Sequence, residues 1–412
     1  MNEIQLRFLD TIKYFLKDET VLWDDVMEDI AWNEIFKMSD QHNVFPMTYE
    51  AVYGSKTFMM LPPELQGMYK NKMVQAVITQ LRATDEFLKC YEYLITHGIC
   101  PMVVKGIICR NLYKRPDYRI SNDEDMFIPK EMAVKCHELL LQDGFQSDWV
   151  VSEDIPDEIT YVHGQRGLLM EVHNSLFPRD SKAYGEFNEL FSHSYENKIT
   201  EEINGVHVYT MNHEDHFVYL ICHALKHFLH SGFGIRQVCD IVIYGKTYEN
   251  ELNWESIDRK LERIYGKGFT SSIFKIGERY FDIHLENIKF SQLFEKMKVE
   301  CEPMLIDLLE GGVFGDSSMT RKHSSTITLN AVSAAKKNQK HSLLATVFPS
   351  KAYLEHRYEY LKKYPYLLPV AWMNRIVTYK KQVKERVQDN PYESMELGKQ
   401  RIELLKKYGI IE

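Results

Sequence analysis

Along the first hundred residues, apolar side chains recur every three or four positions. Ile4, Phe8, Ile12 and Phe15 share one helical face, and Thr84 to Ile95 repeat the style. Pro62-Pro63 breaks the pattern once, and Glu64 to Cys90 is expected to supply long helices. The texture changes at Gly98. Short runs rich in β-branched residues follow: Met102-Val104, Met126-Ile128, Trp149-Val151, Ile159-Val162 and Leu168-Val172. Between the second and third lies an amphipathic helix whose Met132, Cys136, Leu139 and Leu140 share a face, with Asp143-Gly144 as its stop. From Asn212 the helical period returns and persists to the end of the chain. Gly311-Gly312 and Gly315 punctuate it, and the Ser/Thr/Lys-rich stretch Ser317–His341 reads as a linker. No internal repeat is evident. The expected architecture is α+β: a helical region over 1–100, a small mixed-sheet core over 101–205, and a second helical region over 206–412.

Composition narrows the function classes. The 412 residues carry 50 Lys+Arg against 59 Asp+Glu, a formal net charge of −9, with 44% hydrophobic and 26% charged residues. These values exclude a disordered, collagen-like or disulfide-stapled chain. The acidic balance argues against a long nucleic acid as ligand, which needs a broad basic face. No basic segment leads into an apolar run at MNEIQLRFLD, and no window is long and apolar enough to span a membrane. The 7 cysteines are scattered and form no CxxC pair, so a reduced cytoplasm is the expected compartment.

The chemistry concentrates around one acidic strand. Asp123 and Asp125 sit two apart at the entrance to an apolar run, and the period of two places both carboxylates on one face. Like charges held so close are best tolerated around a divalent cation, and oxygen donors favour Mg²⁺ or Mn²⁺. A third carboxylate is expected from a neighbouring strand, and Glu171 in Leu168-Leu-Met-Glu-Val-His173 fits. Lys105-Gly106 ends an earlier strand, where a glycine allows backbone N–H groups to approach a phosphate. Lys105, Arg110, Lys114, Arg115 and Arg119 against Asp117 alone give this segment a local charge of +4. A basic segment facing an acidic strand suits a metal–triphosphate complex.

Taken in order, Lys105-Gly106, Tyr113, Arg119, Asp123/Asp125 and Glu171-Val-His173 resemble the bacterial family labelled uncharacterised nucleotidyltransferase, within the DNA-polymerase-beta-like superfamily. Ala31-Trp32 through His42-Asn43-Val44, His223-Ala-Leu-Lys-His227 with Asp240, Phe348-Pro349-Ser350, and Tyr364 to Arg375 extend the resemblance over most of the chain. Two departures touch the phosphate loop: Ile107 stands where Gly or Ser usually follows the motif glycine, and the gap from Gly106 to Asp123 is long.

The resemblance implies transfer of a nucleoside monophosphate from an NTP such as ATP to an acceptor hydroxyl, with pyrophosphate as leaving group. Asp123, Asp125 and Glu171 would hold Mg²⁺ (or Mn²⁺) and carry catalysis, and Lys105, Gly106 and Arg119 would bind the nucleotide. Arg119 is equally readable as a salt-bridge partner, and Tyr113 as a core tyrosine rather than a base-stacking ring. A small molecule or a protein is the expected acceptor. Two alternatives compete. His223 and His227 stand i, i+4 on one helix face within the cluster His213–His230, which is zinc-ligand spacing and suggests a zinc or di-metal hydrolase. A catalytically idle binding protein on the same fold is the other.

Overall fold

A computed structural model of the chain describes residues 1–23, 30–230, 232–311, 319–336, 351–354, 358, 360–374 and 391–411. Among its helices are α1 (Glu3–Lys17), α2 (Trp32–Gln41), α3 (Phe45–Val52), α4 (Lys56–Met59), α5 (Pro63–Thr96), α6 (Gly106–Arg110) and α7 (Ala133–Gln142) before or within the sheet. After it come α8 (His213–His230), α9 (Ile235–Thr247), α10 (Trp254–Arg263), α11 (Lys267–Phe281), α12 (Ile288–Phe290), α13 (Glu302–Gly311), α14 (Met319–Ala335) and α15 (Pro391–Lys407). The strands are β1 (Met102–Val104), β2 (Glu124–Phe127), β3 (Glu158–His163), β4 (Leu168–His173), β5 (Ile199–Ile203) and β6 (Val206–Thr210). This is an α+β fold with helices on both sides of one mixed sheet.

The strand order is β3-β4-β2-β1-β6-β5. β2 runs parallel to β4 and antiparallel to β1, so the acidic strand lies between the Lys-Gly strand and the Glu171 strand. Strand alternation then sorts the side chains. Met126, Ile128, Met170 and Val172 are buried on one face against Phe87, Leu88, Tyr91 and Leu94 of α5 and Cys136, Leu139 and Leu140 of α7. Each such fully buried side chain contributes about 1.5–3 kcal/mol, which fixes the register. The opposite face carries Asp125, Glu171 and His173 and lies under α8 and α9.

Helix ends follow local chemistry. Asn2 and Gln5 form a reciprocal capping box at the start of α1. Pro63 occupies the first turn of the 34-residue α5, where its missing N–H costs nothing. Gly144, at φ +96°, ends the turn after α7 as the Asp143-Gly144 pair suggests.

Three expectations need correction. Trp149-Val151 forms no strand: Trp149 packs edge-on against His137 of α7, with ring centroids 4.6 Å apart. The β5–β6 hairpin was unforeseen, because Ile199–Ile203 carries Glu201 and Glu202 and lacks the apolar density of the central strands; with it the sheet continues to Thr210. Much of Ser317–His341 is no linker, since Met319–Ala335 is a helix against α8 and α15, where the Thr328 hydroxyl donates to the Leu229 carbonyl at 2.6 Å. The flanks of that stretch, Phe348-Pro349-Ser350 and Arg375 lie outside the described residues.

Candidate functional site

Pairing places Asp125 directly beside Glu171 of β4 and opposite Val104 of β1. His173 lies two residues beyond Glu171 and reaches back, its Nε2 donating to Asp125 Oδ1 at 2.9 Å. The Lys105 ammonium reaches the same Oδ1 at 2.8 Å. Asp125, Glu171 and His173 each offer a donor atom within 4.8 Å of the others, the sole such group of three or more found among the described residues. Asp123 stands just before β2, half-buried, at the mouth of the same cavity.

That cavity, of about 410 Å³, is lined by all six residues singled out from the sequence: Lys105, Gly106, Arg119, Asp123, Asp125 and Glu171. Its electrostatics are uneven. Burial works against ionised Asp125, but Lys105 and His173 hold its carboxyl well below the usual range. Burial and the neighbouring Asp125 push Asp123 up, and burial with Asp125 and Glu158 pushes Glu171 to about 7. Burial, and then the neighbouring negative charges, thus oppose ionisation of two of the three carboxyls, the condition that a divalent cation relieves. Lys105 is buried, which opposes its charge, yet Asp125, Tyr219 and Asp123 keep it firmly protonated.

Lys105 occupies a strained position. Its φ of +54° is uncommon for a side chain with a Cβ and costs about 1–3 kcal/mol. The conformation is held because its N–H donates to His216 Nε2 at 3.0 Å, while Nζ lies 3.0 Å from His223 Nε2. Gly106 has a specific reason to be glycine: an added Cβ would lie 2.2 Å from Glu124 Oε2. The Glu124 carboxylate accepts the Ile107 N–H at 2.9 Å and pairs with the buried Arg110 at 2.5 Å.

The basic segment does not face the acidic strand as one block. Glu124 points to the face opposite Asp125, where Arg110 rather than a metal offsets it. Lys114 and Arg115 turn outward to Asp18, and Arg115 also meets Glu50. Arg119 is buried and fully engaged: Nε and NH2 donate to Asp240 at 3.1 and 2.6 Å, and NH1 donates to Ser121 Oγ at 2.5 Å. Tyr113 sits in the core, its hydroxyl donating to Asp240 at 2.8 Å.

α8 carries a polar stripe on a buried helix. Tyr219, His223, Lys226, His227 and His230 recur at three- and four-residue spacing, and the first four line the cavity. His223 and His227 do meet, Nε2 to Nε2 at 3.1 Å, but the Lys105 ammonium beside His223 places positive charge where a zinc ion would sit. Burial pushes the pKa of His223 far down and that of His227 to about 3, so both rings are neutral at pH 7. His213 stacks on Tyr248 at 3.8 Å, and His230 meets the Tyr184 hydroxyl at 2.7 Å, both packing roles.

The family model described as uncharacterised nucleotidyltransferase matches residues 28–282, from just before α2 to just beyond α11. The chain belongs to that family. The match takes in the whole sheet together with α8 and α9, and it assigns the chain a general nucleotidyl-transfer role. No curated protein and no solved structure matches the chain. Among the described residues, no helix is long and apolar enough to cross a membrane.

Cavity residues not expected from the sequence include Glu158, Tyr219, Lys226, Arg236 and Asp240, and His173 was assigned no site role. The α8 residues had a signal: polar side chains at helical spacing inside the most apolar stretch of the chain. Asp240 had its place in the family resemblance, and Arg236 had only its i, i+4 spacing to Asp240. The N-terminal helices contribute indirectly, since the Ile235 N–H at the start of α9 donates to buried His42 Nδ1 at 3.3 Å.

Proposed function

We propose that the chain is a divalent-metal-dependent nucleotidyltransferase that moves a nucleoside monophosphate from an NTP to a hydroxyl on a small molecule or a protein. A bond forms between the acceptor oxygen and the α-phosphorus, the α–β bridging P–O bond breaks, and pyrophosphate leaves with the displaced electron pair. The observation carrying this reading is the convergence of Asp123, Asp125 and Glu171 on one cavity of a chain in this family.

The donor set fits a hard cation. Three carboxylates supply the oxygens, and the raised pKa values of Asp123 and Glu171 mark a site short of positive charge. Bound Mg²⁺ or Mn²⁺ would neutralise the phosphates and acidify the acceptor hydroxyl. The remaining tasks belong to the chain. Lys105 and His173 orient Asp125 through one oxygen, leaving Oδ2 free to turn toward a cation. In this reading Glu171 takes the hydroxyl proton, as a weak base because it also ligates the cation. Residues 101–205 provide the carboxylates together with Lys105, Arg119 and His173, while α8 and α9 add His223, Lys226, His227 and Arg236. We assign the outer helices of the two flanking regions to acceptor choice, and the net charge of −9 disfavours a long polynucleotide there.

The test is incubation of the protein with α-labelled NTPs, Mg²⁺ and cell extract, followed by mass analysis of labelled species. A nucleotide adduct and stoichiometric pyrophosphate, both absent with Asp125→Asn, are expected. Labelled phosphate released as NMP or NDP, without any adduct, would favour hydrolysis and count against transfer.

A further inference from the structure

Four cations line the cavity: Lys105, Arg119, Lys226 and Arg236. Two are already neutralised from within. Lys105 is paired with Asp125, and all three guanidinium nitrogens of Arg119 are engaged by Asp240 and Ser121. Arg236, in the first turn of α9, is different. It is 9% exposed, it has no carboxylate partner among the described residues, and its one hydrogen bond runs from NH1 to the Ile120 carbonyl. Its Nε is buried without a partner. Burial and the neighbouring Arg119 push its pKa down to about 10, against the weaker pull of Asp240 and Asp123.

A guanidinium buried without a counter-charge is costly, and a chain keeps one where a ligand completes it. The free edge of a guanidinium, two N–H donors in a fixed plane, matches two oxygens of one phosphate. Arg236 lines the same cavity as Asp123, Asp125 and Glu171, so an anion held there by its guanidinium would share that cavity with the carboxylates. The positive end of the 13-residue α9 adds to the same field. Lys226 also lacks a partner among the described residues, but its acidic neighbours are Glu158, Asp125 and Glu171, and it is less buried.

We propose that Arg236 is the residue that grips the polyphosphate of the nucleotide, presenting its free guanidinium edge to a phosphate oxyanion in the cavity it shares with Asp123. This rests on the nucleotidyltransferase reading and deepens it. It moves the main phosphate contact from Lys105 and Arg119 on the Lys-Gly side of the site to α9. Arg119 becomes a positioning residue that ties the segment before β2 to Asp240.

The experiment is calorimetric titration of the full chain with ATP and with inorganic tripolyphosphate, each with Mg²⁺, for wild type, Arg236→Gln and Arg236→Lys. Both ligands should bind at least tenfold more weakly to Arg236→Gln. Arg236→Lys keeps the charge and loses the fork, and should weaken both ligands at least threefold. Mn²⁺ binding without nucleotide, read by electron paramagnetic resonance, should stay within twofold of wild type in each variant. If Arg236→Gln does not fold, Arg236→Lys is decisive alone. Wild-type binding with both folded variants within twofold of it would overturn the assignment. So would parallel loss of Mn²⁺, since Arg236 would then only hold the Ile120 segment in place. Failure of wild type to bind ATP and tripolyphosphate with any divalent metal would instead overturn the underlying nucleotidyltransferase reading.

Discussion

Gly106→Ala tests how the Lys-Gly turn is built. The new Cβ would sit 2.2 Å from Glu124 Oε2 and 3.2 Å from Glu124 Cδ, so the carboxylate must move. It cannot move freely, because both Glu124 and Arg110 are buried, at 2% and 1% side-chain exposure, and Oε2 also caps the Ile107 N–H. Losing that charge-assisted bond costs about 1.5–3 kcal/mol. Leaving Arg110 without its counter-charge costs about 3–5 kcal/mol. These overlap, since one carboxylate displacement causes both, so the expected loss is about 3–5 kcal/mol. Urea unfolding followed by tryptophan fluorescence measures it. In an Arg110→Met/Glu124→Ala background the collision is gone, and Gly106→Ala should cost only about 1–2 kcal/mol for its positive φ. A cost under about 1 kcal/mol in the wild-type background, or an equal cost in both, would refute this account of Gly106.

Two further outcomes are expected. Tyr113→Phe removes a buried hydroxyl donor to the Asp240 carboxylate and should lower stability by about 1.5–3 kcal/mol in urea unfolding, because the bond is charge-assisted. His42, stacked on Phe8 and bonded to the start of α9, has its pKa pushed by burial down to about 4. Its neutral form is favoured in the fold, so its contribution is complete above the unfolded value of about 6.5 and is lost as pH falls toward 4. The loss amounts to at most about 3 kcal/mol, and unfolding between pH 7.5 and 4.5 should show a shallower pH slope in His42→Phe than in wild type.

The cavity's carboxylates were legible in the sequence and most of its α8 and α9 lining was not, for a physical reason. Asp123, Asp125 and Glu171 are legible because strand alternation converts a spacing of two into a shared face, and a carboxylate in an apolar strand is out of place. Lys105 was legible as chemistry, but its engagement with Asp125 and His223 was not, because those contacts span 20 and 118 residues. Glu124 stands between the two aspartates in the sequence, and the same alternation sends it to the other face and into Arg110. Within Ser317–His341, Met319–Ala335 is a helix rather than a linker because Ser and Thr lower helix propensity without forbidding a helix that packs, and Thr328 is fully buried.

The central claim is that Asp123, Asp125 and Glu171 hold a nucleotide through a divalent metal. Its most direct test is the affinity of ATP for the full chain with and without Mg²⁺, in wild type, Asp123→Ala, Asp125→Ala and Glu171→Gln. The account predicts Mg²⁺-dependent binding in wild type that disappears in both aspartate variants and weakens at least tenfold in Glu171→Gln, about 1.4 kcal/mol or more. ATP binding that survives in Asp123→Ala and Asp125→Ala, or that is indifferent to Mg²⁺, would contradict it.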